Sequence, residues 1–182
     1  MKEAPLVEHL EELRARILWS LLAWAVGTGV AWPLRVQLLE WLKRPLDLAA
    51  KAHGIQVNLI VLDITEPFLV SLKVAAFGGL VLALPFIVYQ VWAFISPGLY
   101  PKERRWAAPF VVLGWGFFIA GGVFAYLVAF PFAVEFLLAM GKDFMPLITA
   151  EKYYGLLLTI MLGLGLMFEL PIQLIDEEVY FR

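Results

Sequence analysis

Long stretches almost free of charge set the strongest limit on what this chain can fold into. Ile17 to Leu34 contains no Asp, Glu, Lys or Arg. Pro67 to Ile95 is interrupted only by Lys73, Trp106 to Val134 by nothing, and Tyr153 to Ile175 only by Glu169. A helix of roughly 17–25 apolar residues crosses a hydrocarbon core of about 30 Å. A lone strand cannot satisfy its backbone in lipid, so these four runs are expected to be helices. The composition agrees. The 182 residues are 62% hydrophobic and 16% charged, with a mean hydropathy of +0.82. Soluble domains average about 45–50% apolar and about 25% charged. Disorder is excluded by the same values. A net charge of -2 leaves no basic excess for nucleic acid. No cysteine is present, which removes disulfide scaffolds and thiol chemistry. The expected architecture is all-α: a polytopic integral membrane protein with four transmembrane helices in a single membrane domain, 1–182.

The second and third runs reach roughly 43 Å as helices, so tilt, kinks or protrusion are expected. Pro85 is the expected kink in the second. The first run is too long for a signal-peptide core, and Trp32-Pro33-Leu34 stands where a small-residue cleavage site would be, so it reads as a retained span. Lys2, Arg14, Arg16, Lys102, Arg104 and Arg105 lie in short segments beside spans on one side of the membrane. Their density places that side, and the N-terminus, in the cytoplasm. Met1 to Arg16 spaces Leu6, Leu10 and Leu13 at helical intervals among acids, which predicts an amphipathic interfacial helix running into span one. Val36, Leu39, Leu42 and Leu46 predict a second interfacial helix outside, broken by Pro45, before a more extended stretch around Ile55 to Ile64. Phe130 to Glu151 reads as a loop with a short helix.

The sparse polar residues carry the functional information. An even number of crossings puts Met1–Arg16 and Ser96–Arg105 on one membrane face, each with an acid near a span: Glu12 and Glu103. Two partly dehydrated carboxylates could bind guanidinium groups by bidentate hydrogen bonds. The plainer alternative is local pairing, Glu12 with Arg16 and Glu103 with Arg104 or Arg105, worth about 0–1 kcal/mol per exposed pair. Glu169 is the acid inside a span, where charge is expensive. It lies toward the inside end, with Gln90 and Tyr89 as candidate partners. Lys73 sits near an outside end and can snorkel. His9 and Glu12 are spaced to share a metal, but one His and one Glu make an incomplete site, so no metal is expected. No nucleophile elbow, P-loop or H-E-x-x-H sequence is present, and no enzymatic activity or cofactor is expected. Ala75 with Gly79, Gly116 with Ala120 and Gly121 with Ala125 have small-xxx-small spacing, read here as close helix packing. A small ion- or proton-coupled transporter using Glu169 and Lys73 is the competing class, but it would place polar groups near the midplane and show internal repeats.

Three ordered motifs resemble one family. His9-Leu10-Glu11-Glu12-Leu13-Arg14-Ala15-Arg16 resembles the N-terminal H-L-x-E-L-R-x-R signature of the TatC family. Tyr89 to Tyr100, followed by Lys102-Glu103-Arg104-Arg105, resembles its second span and first cytoplasmic loop. Phe168-Glu169-Leu170-Pro171 resembles its fourth-span F-E-x-P motif. The likeness covers roughly residues 6–174. It implies the signal-peptide receptor core of the twin-arginine translocase, which moves folded proteins across a bacterial inner membrane on the proton-motive force. It further implies that Glu12 and Glu103 recognise the paired arginines of the signal peptide, with Arg14, Phe94, Pro97 and Arg105 shaping that cytoplasmic site. Pro45 matches a family proline in the first outside loop. Glu169 matches an intramembrane acid where TatA-type and TatB-type single-span helices dock. Contact with membrane lipid and self-association in a larger complex are implied as well. The family is expected to have six spans and this chain shows four. Its residues 176–182 form a divergent tail.

Overall fold

The computed structural model describes residues 4–95, 107–141 and 147–180, with side chains over 7–94, 111–141 and 147–169. Six α-helices run through them in order: α1 Ala4–Ala31, α2 Arg35–Ala52, α3 Glu66–Ile95, α4 Ala107–Phe124, α5 Phe130–Met140 and α6 Ala150–Tyr180. Four stretches are long and apolar enough to cross a membrane: Val7–Ala52, Glu66–Phe94, Val111–Met140 and Ala150–Glu169.

The amphipathic N-terminal segment and the first apolar run form one helix, α1. No Pro or Gly falls between Leu6 and Val26, and Pro5 lies in the first turn, where its missing N–H costs nothing. The corner into α2 is a 3₁₀ turn, Trp32–Leu34, holding Pro33. The Arg35 backbone N–H and its guanidinium both donate to the Trp32 carbonyl, and the guanidinium lies 4.8 Å from the Trp32 ring centroid.

Pro45 does not break its helix: α2 continues through it to Ala52. A proline at this point removes the N–H that would bond the Trp41 carbonyl, one turn earlier. The Tyr126 hydroxyl donates to that carbonyl instead. The hydroxyls of Tyr153 and Tyr154 donate to Leu42 (2.7 Å) and Leu39 (2.9 Å) of the same helix. Pro85 likewise lies inside α3 without ending it.

The segment from Phe130, expected as a loop with a short helix, is helical to Met140. A π turn, Ala125–Ala129, links it to α4, closed by the Phe130 N–H on the Ala125 carbonyl. Pro131 explains the wider turn, because it cannot donate to the Leu127 carbonyl. The π turn also carries Tyr126.

Glycines set how closely the spans approach. α1 and α3 pack antiparallel, with Gly79 against Gly27 and Thr28. A Cβ on Gly27 would stand 2.6 Å from the Gly79 carbonyl oxygen. α4 and α6 touch through Gly121, where a Cβ would meet the Leu164 carbonyl oxygen at 2.5 Å. Gly116 faces open space, so its spacing with Ala120 serves no described contact. Trp24 of α1 and Trp115 of α4 each donate their indole N–H to an α3 carbonyl, Ala76 (2.8 Å) and Val81 (3.1 Å).

The main core lies toward the end of the bundle where α3 and α6 begin, and Leu46, Val74, Phe130, Tyr153 and Leu157 are buried together there. Ile60 bridges to the segment before α6: its N–H donates to Ile148 and its carbonyl accepts from Ala150, both at 2.9 Å. Glu66, only 5% exposed, spans the same junction. Its Oε2 accepts from the Leu62 N–H and its Oε1 from the Glu151 N–H, each at 2.8 Å. Lys73 does not snorkel alone; it pairs with Glu151 at 3.0 Å. In the intervening loop, Asp63 accepts from the backbone N–H and hydroxyl of Thr65, which hold its carboxyl below the ordinary carboxylate value. Outside this cluster, large apolar side chains such as Trp19, Val26, Leu127 and Phe132 are exposed, as lipid-facing positions are.

Candidate functional site

The antiparallel packing of α1 on α3 brings the start of one helix to the end of the other. Three contacts define the junction. The Arg16 guanidinium donates to Glu12 Oε1 through Nε (3.2 Å) and Nη2 (3.0 Å). Its Nη1 donates to Gln90 Oε1 at 2.8 Å. The His9 ring stacks on Phe94, with centroids 4.3 Å apart and an interplanar angle of 18°. Helical spacing explains the arrangement: Glu12 and Arg16 are one turn apart on α1, and Gln90 and Phe94 one turn apart on α3.

Gln90 is buried, whereas the Glu12 and Arg16 side chains remain 34% and 28% exposed. Arginine only donates, so the Gln90 amide must present its oxygen. Both Arg16 bonds to Glu12 end on a single oxygen, Oε1, rather than forking across the carboxylate. Below this polar cluster α1 and α3 form an apolar groove of about 390 Å³, lined by Leu13, Ile17, Leu21, Ile87 and Val91 among others.

The expected site residues divide as follows. Glu12 and Phe94 are brought together at the α1–α3 junction. Arg14 is exposed on the same helix and shares no hydrogen bond with the described residues. Glu103, Pro97 and Arg105 lie outside the described residues. Gln90 does not pair with Glu169: among the described residues its hydrogen bond runs to Arg16 on the facing helix. Tyr89 is half exposed. Glu169 is on α6 near the ring pair Phe124–Phe168 (5.9 Å), and its Oε1 is buried without a hydrogen-bond partner among the described residues. Pro45 lies inside α2, whose Trp41 carbonyl takes the Tyr126 hydroxyl. Sequence spacing raised the Glu12–Arg16 pair as an alternative, but it missed the roles of Arg16 toward Gln90 and of His9 toward Phe94. Among the described residues no group of three or more His, Asp or Glu side chains could hold a metal ion.

The described architecture is similar to that of known proteins over nearly its whole length. Residues 8–175 match the family model for "Sec-independent protein translocase protein (TatC)". The TatC protein of Koribacter versatilis is 45% identical over 172 residues, covering 94% of this chain and 64% of that protein. The Deinococcus radiodurans TatC protein is 44% identical over 177 residues, with 94% and 64% covered. The chain therefore spans just under two thirds of these relatives' length. A crystal structure of the twin-arginine translocase receptor TatC superposes with a TM-score of 0.81 at 34% identity, covering 91% of this chain and 72% of that one.

Proposed function

Because this chain belongs to the TatC family of Sec-independent protein translocase proteins, we propose that it is the part of a bacterial inner-membrane translocase that receives twin-arginine signal peptides at the cytoplasmic face. In this reading Glu12 and Glu103 bind the two guanidinium groups, with Arg14, Phe94, Pro97 and Arg105 around them. The N-terminus lies on the cytoplasmic side.

One observation carries the reading. Glu12 already holds a guanidinium, that of Arg16, at the junction of α1 and α3. Glu103, eight residues after Ile95 in the sequence, is the second acid of this reading. A carboxylate that binds one guanidinium here has the polarity and access to bind another. The apolar groove between α1 and α3 extends from that cluster, which suits a peptide whose arginines precede an apolar stretch. The peptide's apolar part would enter the membrane there and along the wall that carries Glu169. TatA-type and TatB-type single-span helices would dock near that acid to let folded cargo pass on the proton-motive force. Membrane lipid surrounds the assembly, and copies of the chain associate within it.

The test is the affinity of the protein in detergent for a synthetic twin-arginine signal peptide, with a twin-lysine peptide as control. The Glu12→Gln/Glu103→Gln variant is expected to lose the preference for arginine. Unchanged binding by that variant would sink the site assignment.

A further inference from the structure

We infer that Arg16 is an internal stand-in for a signal-peptide arginine: it occupies Glu12 in the empty protein and moves onto Gln90 alone when a peptide guanidinium arrives. The inference rests on the reading that Glu12 binds the peptide, and goes beyond it by naming what the peptide must displace.

The geometry is that of an exchangeable lock. Arg16 presents the same chemical group as the incoming ligand to the same carboxylate. It takes only Oε1, through two bonds of 3.0 and 3.2 Å, and leaves the forked approach across both oxygens unused. A peptide arginine that engages both oxygens makes the better pair. Arg16 also has a second hold that does not involve Glu12. Its Nη1 lies 2.8 Å from the oxygen of Gln90, a buried amide fixed on a different helix. Releasing Glu12 therefore does not leave Arg16 unpartnered. Gln90 keeps the displaced guanidinium in place, close enough to return when the peptide leaves.

The balance suits exchange. Partly exposed i,i+4 pairs are weak, so Arg16 lowers the affinity for peptide by a small factor rather than blocking it. A lysine peptide pairs with Glu12 as a point charge and cannot fork across it. Either peptide must release the same resident guanidinium, so Arg16 lowers both affinities by one factor and sets a threshold, while the preference for arginine comes from the pairing with Glu12 itself.

The experiment measures affinities of the full chain for twin-arginine and twin-lysine peptides across wild type, Glu12→Gln, Arg16→Gln, Gln90→Leu and Arg16→Gln/Gln90→Leu. Removing the stand-in with Arg16→Gln is expected to tighten twin-arginine binding by about two- to fivefold. It should tighten twin-lysine binding by the same factor, leaving the preference unchanged. Gln90→Leu removes the second hold and is expected to weaken binding, but only while Arg16 is present. The double variant should therefore match Arg16→Gln. A structural role for either residue predicts independent losses instead. If Glu12→Gln abolishes binding and Arg16→Gln weakens it or leaves it unchanged, the exchange is overturned while the site stands. If wild type and Glu12→Gln bind equally, or neither binds, the site and the exchange fall together.

Discussion

The hydroxyl of Tyr126 donates to the carbonyl of Trp41, the one acceptor in α2 that Pro45 leaves without its helical donor. Tyr126 reaches it because the π turn of Ala125–Ala129 lies between α4 and α5, beside α2. The proline in one segment and the π turn in another are therefore parts of one device. If so, Tyr126→Phe orphans the Trp41 carbonyl and costs about 1–3 kcal/mol in thermal unfolding in detergent. Pro45→Ala restores a backbone N–H to the same carbonyl. The cost of Tyr126→Phe should shrink to a few tenths of a kcal/mol in that background, on the order of a surface change. Equal costs in both backgrounds would show that the hydroxyl acts elsewhere.

Glu66 holds the starts of α3 and α6 together with its two oxygens. Each oxygen takes a separate backbone N–H, Leu62 before α3 and Glu151 in the first turn of α6. Glutamine keeps one acceptor and turns an amide NH₂ toward the other N–H. Glu66→Gln is therefore expected to lose one charge-assisted bond, about 1.5–3 kcal/mol, and Glu66→Ala more. Hydrogen exchange at the amides of Leu62 and Glu151 separates the bonds: protection should fall at one amide for Gln and at both for Ala. Unchanged protection at both amides in Glu66→Ala would remove the bridge from the account. The neighbouring Lys73–Glu151 pair is about half exposed on each side, and Lys73→Met should change stability little.

Close helix approach makes opposite predictions for two glycines five residues apart on α4. A methyl on Gly121 would stand 2.5 Å from the Leu164 carbonyl oxygen and 2.9 Å from Gly165 Cα, both backbone atoms that cannot turn aside. Gly121→Ala is expected to push α4 from α6 and destabilise by about 1–3 kcal/mol. A methyl on Gly116 meets nothing within 4 Å, and alanine is the better helix former. Gly116→Ala should be neutral or stabilising. Melting temperatures in one detergent suffice, and a fall of equal size for both would contradict the packing.

What could be read from the sequence followed from one-dimensional physics. The charge-free runs mark helices because lipid allows no other local answer, and α3 begins within one residue of its expected start at Pro67. Several features depend on partners far along the chain. Pro45 looks like a helix breaker until Tyr126, 85 residues beyond Trp41, supplies the missing donor. Glu66 looks like an ordinary acid at a helix start, yet one of its partners is also 85 residues distant. Phe130 to Glu151 reads as a loop with a short helix, but Pro131 is tolerated at a helix start, and the π turn absorbs the lost bond. At the site, periodicity placed Glu12 one turn from Arg16 but gave no view of Gln90, 74 residues away from Arg16. Depth alone matches Gln90 to Glu169, whereas its hydrogen bond among the described residues runs to Arg16 of α1.

Glu169 offers the last test. A carboxyl oxygen buried without a partner is costly in an apolar setting, and a polar group from a docking helix would relieve that cost. If Glu169 serves as such a docking point, its hydrogen-bonding capacity matters more than its charge. Glu169→Gln keeps an acceptor and a donor in the same volume, and should preserve cross-linking to a TatA-type single-span protein. Glu169→Leu keeps the volume and removes both, and should reduce cross-linking while leaving the fold intact or more stable, because it removes a buried unsatisfied atom. A stability gain with undiminished cross-linking would leave Glu169 without a docking role. A loss for both variants would point to the charge itself as the recognised feature.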